Sequence, residues 1–228
     1  MKEQDEYILL EERGDRTLLR SVSYGDIEAF DVLVKRYLSQ VYRTSFRILC
    51  DRVDAESVTL KVFESLWHDV LEYDERFTLS EWLLRKTCLY GRLRIMRRRL
   101  LRAIGVTNDV FVNASPKVEK QDDFLTKQAW ELYCRATMHM TPLQIISYAM
   151  TILEEIDAVD VSRILGLTHF RIGLASRRAV GKVRKELAHY RKENEYGRYV
   201  GFLKKVAEEQ MDIGRMENRI MEQTGANL

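Results

Sequence analysis

Apolar residues recur at intervals of three and four along most of this chain, and the helices they predict follow one another with short breaks. Asp15 is placed to cap a helix carrying Leu18, Leu19 and Val22. Gly25-Asp26 ends that helix and caps the next. There Ala29, Phe30, Leu33, Val34, Tyr37, Val41, Phe46 and Leu49 mark one long amphipathic helix. Asp51 to Asp54 reads as a turn and cap. A helix from Ala55 to Glu72 follows, with Val58, Val62, Phe63, Leu66 and Val70 on its apolar side. Ser80 is the predicted cap of a further helix, whose apolar stripe is Trp82, Leu89, Leu93, Met96 and Leu100. These helices make one bundle over residues 15–103, behind an acidic extension over 1–14 with an apolar knot at Tyr7-Ile8-Leu9-Leu10.

Periodicity breaks over 104–124, where Gly105, Thr107, Asn108, Asn113, Ser115 and Pro116 cluster. A linker of about twenty residues is longer than the usual loop inside a compact domain. A second bundle is predicted over 125–190. It contains Val161-Ser162-Arg163-Ile164-Leu165-Gly166-Leu167-Thr168: a short helix, a glycine turn and a threonine leading into another helix. Those are the ingredients of a helix-turn-helix, although a tight corner between helices in other folds has the same look. The last helix of this bundle carries Arg177, Arg178, Lys182, Arg184 and Lys185 and ends near Tyr190. The tail, 191–228, has Tyr199, Phe202, Val206, Ile213, Met216 and Ile220 at near-heptad spacing, interrupted by Gly197, Gly201 and Gly214. A helix so weakened needs a surface to fold against. The expected fold is therefore all-α: two small helical domains, a flexible linker and a C-terminal helical tail.

Composition agrees with that class. The chain has 228 residues, of which 46% are hydrophobic, with only two prolines. No apolar run is long enough to span a bilayer. The N-terminus lacks the pattern of a secretory signal. Cys50, Cys88 and Cys134 are odd in number and far apart, as in a cytoplasmic protein with reduced, buried thiols. The four histidines fall in no metal-ligand spacing, and no phosphate loop or nucleophile motif occurs. No catalytic residue, metal or cofactor is expected.

A net charge of +2 announces no polyanion partner, so local clustering carries that argument. Arg92, Arg94, Arg97, Arg98, Arg99 and Arg102 cover several sides of one helix, with no acidic residue placed to pair within it. The run reads as a solvated face or as a phosphate-backbone contact. At the start of the helix in the reading position stand Thr168, His169 and Arg171, then Ile172-Gly173-Leu174-Ala175, which has no donor for a base edge. Gly173 also costs about 1 kcal/mol relative to Ala inside a helix. Trp67 and Trp82 are read as structural.

Taken in order, Gly25-Asp26 with Ala29-Phe30, Tyr37, Asp54-Ala55-Glu56 with Thr59, Val62-Phe63 and Trp67, Trp82-Leu83, Leu165-Gly166-Leu167-Thr168 and Arg177-Arg178-Ala179 resemble the extracytoplasmic-function sigma factors of bacteria in their two-domain sigma-2/sigma-4 form. The resemblance covers residues 15–190. It implies a non-enzymatic bacterial cytoplasmic protein that binds core RNA polymerase and directs initiation at promoter DNA. Asp54, Glu56, Thr59, Leu60 and Phe63 would meet the clamp helices of the largest polymerase subunit, and the sigma-4 part would meet the flap of the second-largest. The DNA-binding residues it implies are Arg92, Arg94, Arg97, Arg98, Arg99, Thr168, His169, Arg171, Arg177, Arg178 and Lys182. Anti-sigma factors are common partners of such proteins.

The departures are specific. Ser57, Leu60 and Lys61 stand where the family has Asp, Gln and Glu. Lys86-Thr87-Cys88-Leu89 and Leu93 replace its minus-ten-facing Asn and Asp, and Ile172-Gly173-Leu174-Ala175 replaces a polar run in sigma-4. Residues that specify sequence are depleted while arginines that position a protein remain. Three further readings follow. The first is a sigma factor recruited by a DNA-bound partner, RNA-guided ones included. The second is a decoy that binds polymerase without initiating. The third is a helix-turn-helix regulator that acts without polymerase.

Overall fold

The computed structural model describes residues 12–106, 121–188, 196–209 and 212–225, and among these every regular element is helical. The helices are α1 (Asp15–Ser23), α2 (Ile27–Leu49), α3 (Arg52–His68), α4 (Leu79–Ala103), α5 (Gln121–Met138), α6 (Pro142–Tyr148), α7 (Ala158–Leu165), α8 (His169–Ala188), α9 (Tyr196–Glu209) and α10 (Ile213–Gln223). A 3₁₀ turn (Val70–Glu72) follows α3, and a π-helical turn (Ala149–Leu153) continues α6. The apolar knot at 7–10, most of the expected linker and Tyr190 lie outside the described residues.

Helix ends correct the sequence reading in small ways. Gly14, not Asp15, occupies the cap of α1. Asp15 lies in the first turn, where its carboxylate takes bonds from Tyr37 and Arg36. Asp26 caps α2 as expected, accepting from the Ala29 amide at 3.0 Å. Asp51 caps α3 through the Asp54 amide at 2.8 Å, so Asp54 falls inside the helix and not in a preceding turn. The helix expected to run to Glu72 stops at His68. Thr78 replaces Ser80 as the cap of α4. It forms a reciprocal capping box with Glu81, while the Ser80 hydroxyl donates to Gln40 Oε1 at 2.9 Å.

The centre of the molecule is α2. Beyond the predicted stripe, its Val32, Leu38, Tyr42, Thr44, Ser45, Arg47 and Ile48 are also buried. From Val41 on, where only Arg43 is even partly exposed, the helix is covered on all sides and needs partners all round. α1, α3 and α4 supply them from the first bundle, and the π-turn, α9 and α10 from the rest of the chain. One continuous set of buried side chains runs through both halves. Phe46 of α2 stacks on Trp130 of α5 with centroids 4.6 Å apart, and Trp130 meets Tyr133, which stacks on Tyr148. The Tyr133 hydroxyl donates to the Arg47 carbonyl at 2.8 Å. Arg47, 2% exposed, reaches Glu154 Oε1 at 2.7 Å, and Arg43 reaches Oε2 at 2.9 Å.

The tail finds its surface. Tyr199, Leu203 and Val206 of α9 are buried against α5 and α2, and the Lys204 carbonyl accepts from Arg47 at 3.0 Å. Met216 and Ile220 of α10 are buried where that helix packs on α3 and α2.

The predicted stripe of α4 is the largest correction. Trp82 is buried, but Leu89, Leu93, Met96 and Leu100 are exposed by 49%, 54%, 49% and 62%. The inward side is Leu79, Leu83, Leu84, Thr87, Cys88, Gly91 and Ile95. Gly91 explains the choice: a β-carbon there would stand 3.1 Å from Ile48 Cγ2. α4 therefore presses its smallest residue against α2, and the leucines turn outward.

Candidate nucleic-acid and partner interface

The helix-turn-helix expectation rests on a sharp corner, and the corner forms. Asp157 caps α7 through the Val159 amide at 2.7 Å. Gly166 adopts φ 65°, in the left-handed region that favours glycine. The Gly166 amide returns to the Arg163 carbonyl at 3.2 Å and the Leu167 amide to Ser162 at 2.9 Å, a Schellman closure. α8 then begins at His169 and sinks Ile172, Ala175, Ala179, Val183 and Leu187 into the core. Ile172 and Ala175 offer bases nothing because they serve packing. The outer side of α8 presents Thr168, His169, Phe170, Arg171, Arg177 and Arg178 to solvent.

Lys182 does not join them: its ammonium donates to Gln144 Oε1 at 2.8 Å and to the His139 carbonyl. Arg177 remains exposed, with one bond to its own helix at the Gly173 carbonyl.

The arginines of α4 divide in the same way. Arg94 and Arg98 belong to the fold. Arg94 Nε meets Asp54 Oδ1 at 2.6 Å, and Arg98 lies 3.1 Å from Asp54 Oδ2 while donating to the Leu49 carbonyl at 3.0 Å. Arg99 donates to the Met140 carbonyl. Burial, and then the neighbouring Arg102, hold its guanidinium below the ordinary value. Arg92, Arg97 and Arg102 are exposed, and no hydrogen bond or ion pair holds them among the described residues. The six form one cluster along the sequence, and Asp54, approaching from α3, divides them.

α7 is fixed against α4, and the Gly166 corner carries the start of α8 beside it. The Arg85 guanidinium donates to the Ile164 carbonyl at 3.2 Å, and Arg163 pairs with Glu81. Between these elements lies a groove of about 670 Å³. Arg85, Arg92 and Arg99 enter it from α4, and Arg171 from α8. The seven-residue spacing of the first three was visible in the sequence; their meeting with Arg171 was not.

The residues expected to face polymerase are placed differently from the expectation. Asp54, Glu56, Thr59, Leu60 and Phe63 are 6%, 9%, 0%, 7% and 0% exposed. Asp54 is held by α4, and the Thr59 hydroxyl donates to the Ala55 carbonyl at 2.8 Å. Glu56 pairs with Arg52 at 3.0 Å and with Arg219 of α10. The exposed residues of α3 are instead Val53, Ser57, Lys61 and His68.

No protein-family model and no curated protein matches this chain. No helix among the described residues is long and apolar enough to cross a membrane. Among the same residues, no three His, Cys, Asp or Glu side chains converge as a metal site would require.

Proposed function

We propose that the chain is a sigma-type transcription initiation factor: it touches the DNA backbone with α8 and α4 and binds core RNA polymerase through α3. One observation carries this reading. The Gly166 corner sets the start of α8, with Thr168, His169 and Arg171 exposed, beside Arg92 of α4, which has no partner among the described residues. Two cationic elements edging one groove suit a phosphate backbone, whose counterions they release. The order of motifs along the chain supports the polymerase half of the reading.

On this reading α10 competes with polymerase. Arg219 occupies Glu56, and Met216 and Ile220 cover the neighbouring side of α3. Binding then requires α10 to leave.

The burial of Ile172 and Ala175, together with the outward Leu89 and Leu93, favours a second reading, in which a partner chooses the DNA sequence and this chain supplies polymerase. Transcription with core polymerase on a randomised promoter library separates the two. A sharp enriched motif supports intrinsic promoter reading. Transcription only after a DNA-bound partner is added supports delegated targeting. If core polymerase fails to co-purify with the chain even after α10 is removed, both are wrong and a polymerase-independent regulator remains.

A further inference from the structure

The exposed side of α4 is a continuous apolar surface. Leu89, Leu93, Met96, Leu100 and Ile104 stand four, three, four and four residues apart, which sets them on one face of the helix. Each is about half exposed or more, and no other element leaves such a run in water among the described residues. At a rise of about 1.5 Å per residue the stripe is roughly 22 Å long, or four turns of a facing helix. Apolar patches of this kind, rimmed by charge, mark docking surfaces.

The groove beside the stripe has an apolar floor, with Leu89 and Met96 facing Leu143 and Ile146 of α6 and Leu165 of α7. Its charge has one sign. Arg85, Arg92, Arg99 and Arg171 line it, and no carboxylate does. Arg85 and Arg99 have only backbone carbonyls as hydrogen-bond partners among the described residues. On the opposite side of the stripe Arg97 adds a further guanidinium, beside Lys61, which is paired with Glu64 at 2.8 Å.

We propose that this face of α4 is the docking surface for an acidic amphipathic helix of a partner protein. That helix lays leucine-like side chains along the stripe and its carboxylates against Arg92, Arg97 and Arg171. Charge complementarity selects the occupant. A second copy of the chain would bring guanidinium against guanidinium, because the only acid in α4, Glu81, is already held by Arg163. Duplex DNA would satisfy the arginines but give five apolar side chains nothing to pack on. A helix-in-groove contact uses both features. The surface does not depend on the chain binding polymerase, and because it uses Arg92 and Arg171, the acidic helix and the DNA backbone would occupy this groove in turn, not together.

The test uses the full chain and a display library of short helical peptides. Enriched peptides should carry Leu, Ile or Met at helical spacing, flanked by Asp or Glu. Fluorescence anisotropy should show their affinity falling about tenfold or more for L89S/M96S, as expected when central apolar anchors are lost. Arg92→Glu should weaken the same peptides, and changing a facing peptide Glu to Lys should restore binding. Because these side chains are exposed, circular dichroism of the variants should match the parent. The proposal is overturned if nothing is enriched, if the enriched peptides are basic or neutral, or if they bind L89S/M96S equally well. It is also overturned if L89S/M96S weakens duplex DNA binding by the same factor as peptide binding, or if that variant dissolves a dimer in sedimentation. The first of these outcomes would give the face to nucleic acid, the second to another copy.

Discussion

Replacing Glu154 with Ala tests whether the two halves share one core. Its carboxylate is 5% exposed and takes two guanidinium partners across the junction, Arg47 at 2.7 Å and Arg43 at 2.9 Å. Removing one member of a buried ion pair costs about 3–5 kcal/mol, because the charge left behind is uncompensated. Arg47 keeps two acceptors, the Leu153 and Lys204 carbonyls, so the lower end, about 3 kcal/mol, is expected. In a chain of this size that lowers the melting temperature by roughly 6–12 °C. Arg43→Ala should cost less than about 1 kcal/mol, because that guanidinium is 28% exposed and water screens it. The assay is urea unfolding followed by far-ultraviolet circular dichroism and by tryptophan fluorescence. Trp67 and Trp82 report on the first half, and Trp130 on the junction. One transition shifting as a unit is the expected result for Glu154→Ala. A cost under about 1 kcal/mol, or two transitions of which only the Trp130 one moves, would refute the shared core.

Three other outcomes follow. Arg219→Glu combined with Met216→Ala should raise the affinity of the chain for core polymerase, measured by pull-down or biolayer interferometry; unchanged or weaker binding would show that α10 does not compete. Gly166→Ala should cost about 1–2 kcal/mol in urea unfolding because φ is 65° there, and Gly166→Asn should cost less; equal costs would place the penalty elsewhere. Burial raises the Tyr133, Tyr148 and Tyr199 phenols above their ordinary 10.0, and burial followed by Glu154 pushes the Cys88 thiol up to about 12 from 9.0. A folded-state value above the unfolded one gives stability that is complete below the unfolded value and is lost as pH rises toward the folded one, so the urea midpoint should hold to about pH 9 and then fall steadily; a flat midpoint to pH 11 would contradict the burial.

Most helices could be read from the sequence because their apolar spacing and their breaks coincide. Asp26, Gly166 and the stripe of α2 were all legible, since each acts within a few residues of itself. What could not be read is contact between distant segments. Nothing near Asp54 in the chain announces that Arg94 and Arg98, forty and more residues on, fold back onto it. Lys182 looked available until α6 brought Gln144 to it. Arg47, an unremarked arginine in a helix, ties the π-turn and α9 to the first bundle.

The inversion of α4 is the instructive failure, because periodicity alone permits two stripes on that helix. One is Leu89, Leu93, Met96 and Leu100. The other is Leu84, Cys88, Gly91 and Ile95, smaller and less hydrophobic. A ranking by hydrophobicity chooses the first. Packing against a helix as enclosed as α2 chooses the second, because close approach needs small side chains and the Gly91–Ile48 contact leaves no room for more. The leucines are then left outside with arginines along both edges, a costly arrangement in water for a chain with no use for it. That cost argues that α4 is selected for what it meets outside the molecule. The family-like sequence order makes DNA the obvious candidate, but leucines at the two positions where that family carries Asn and Asp favour a protein surface.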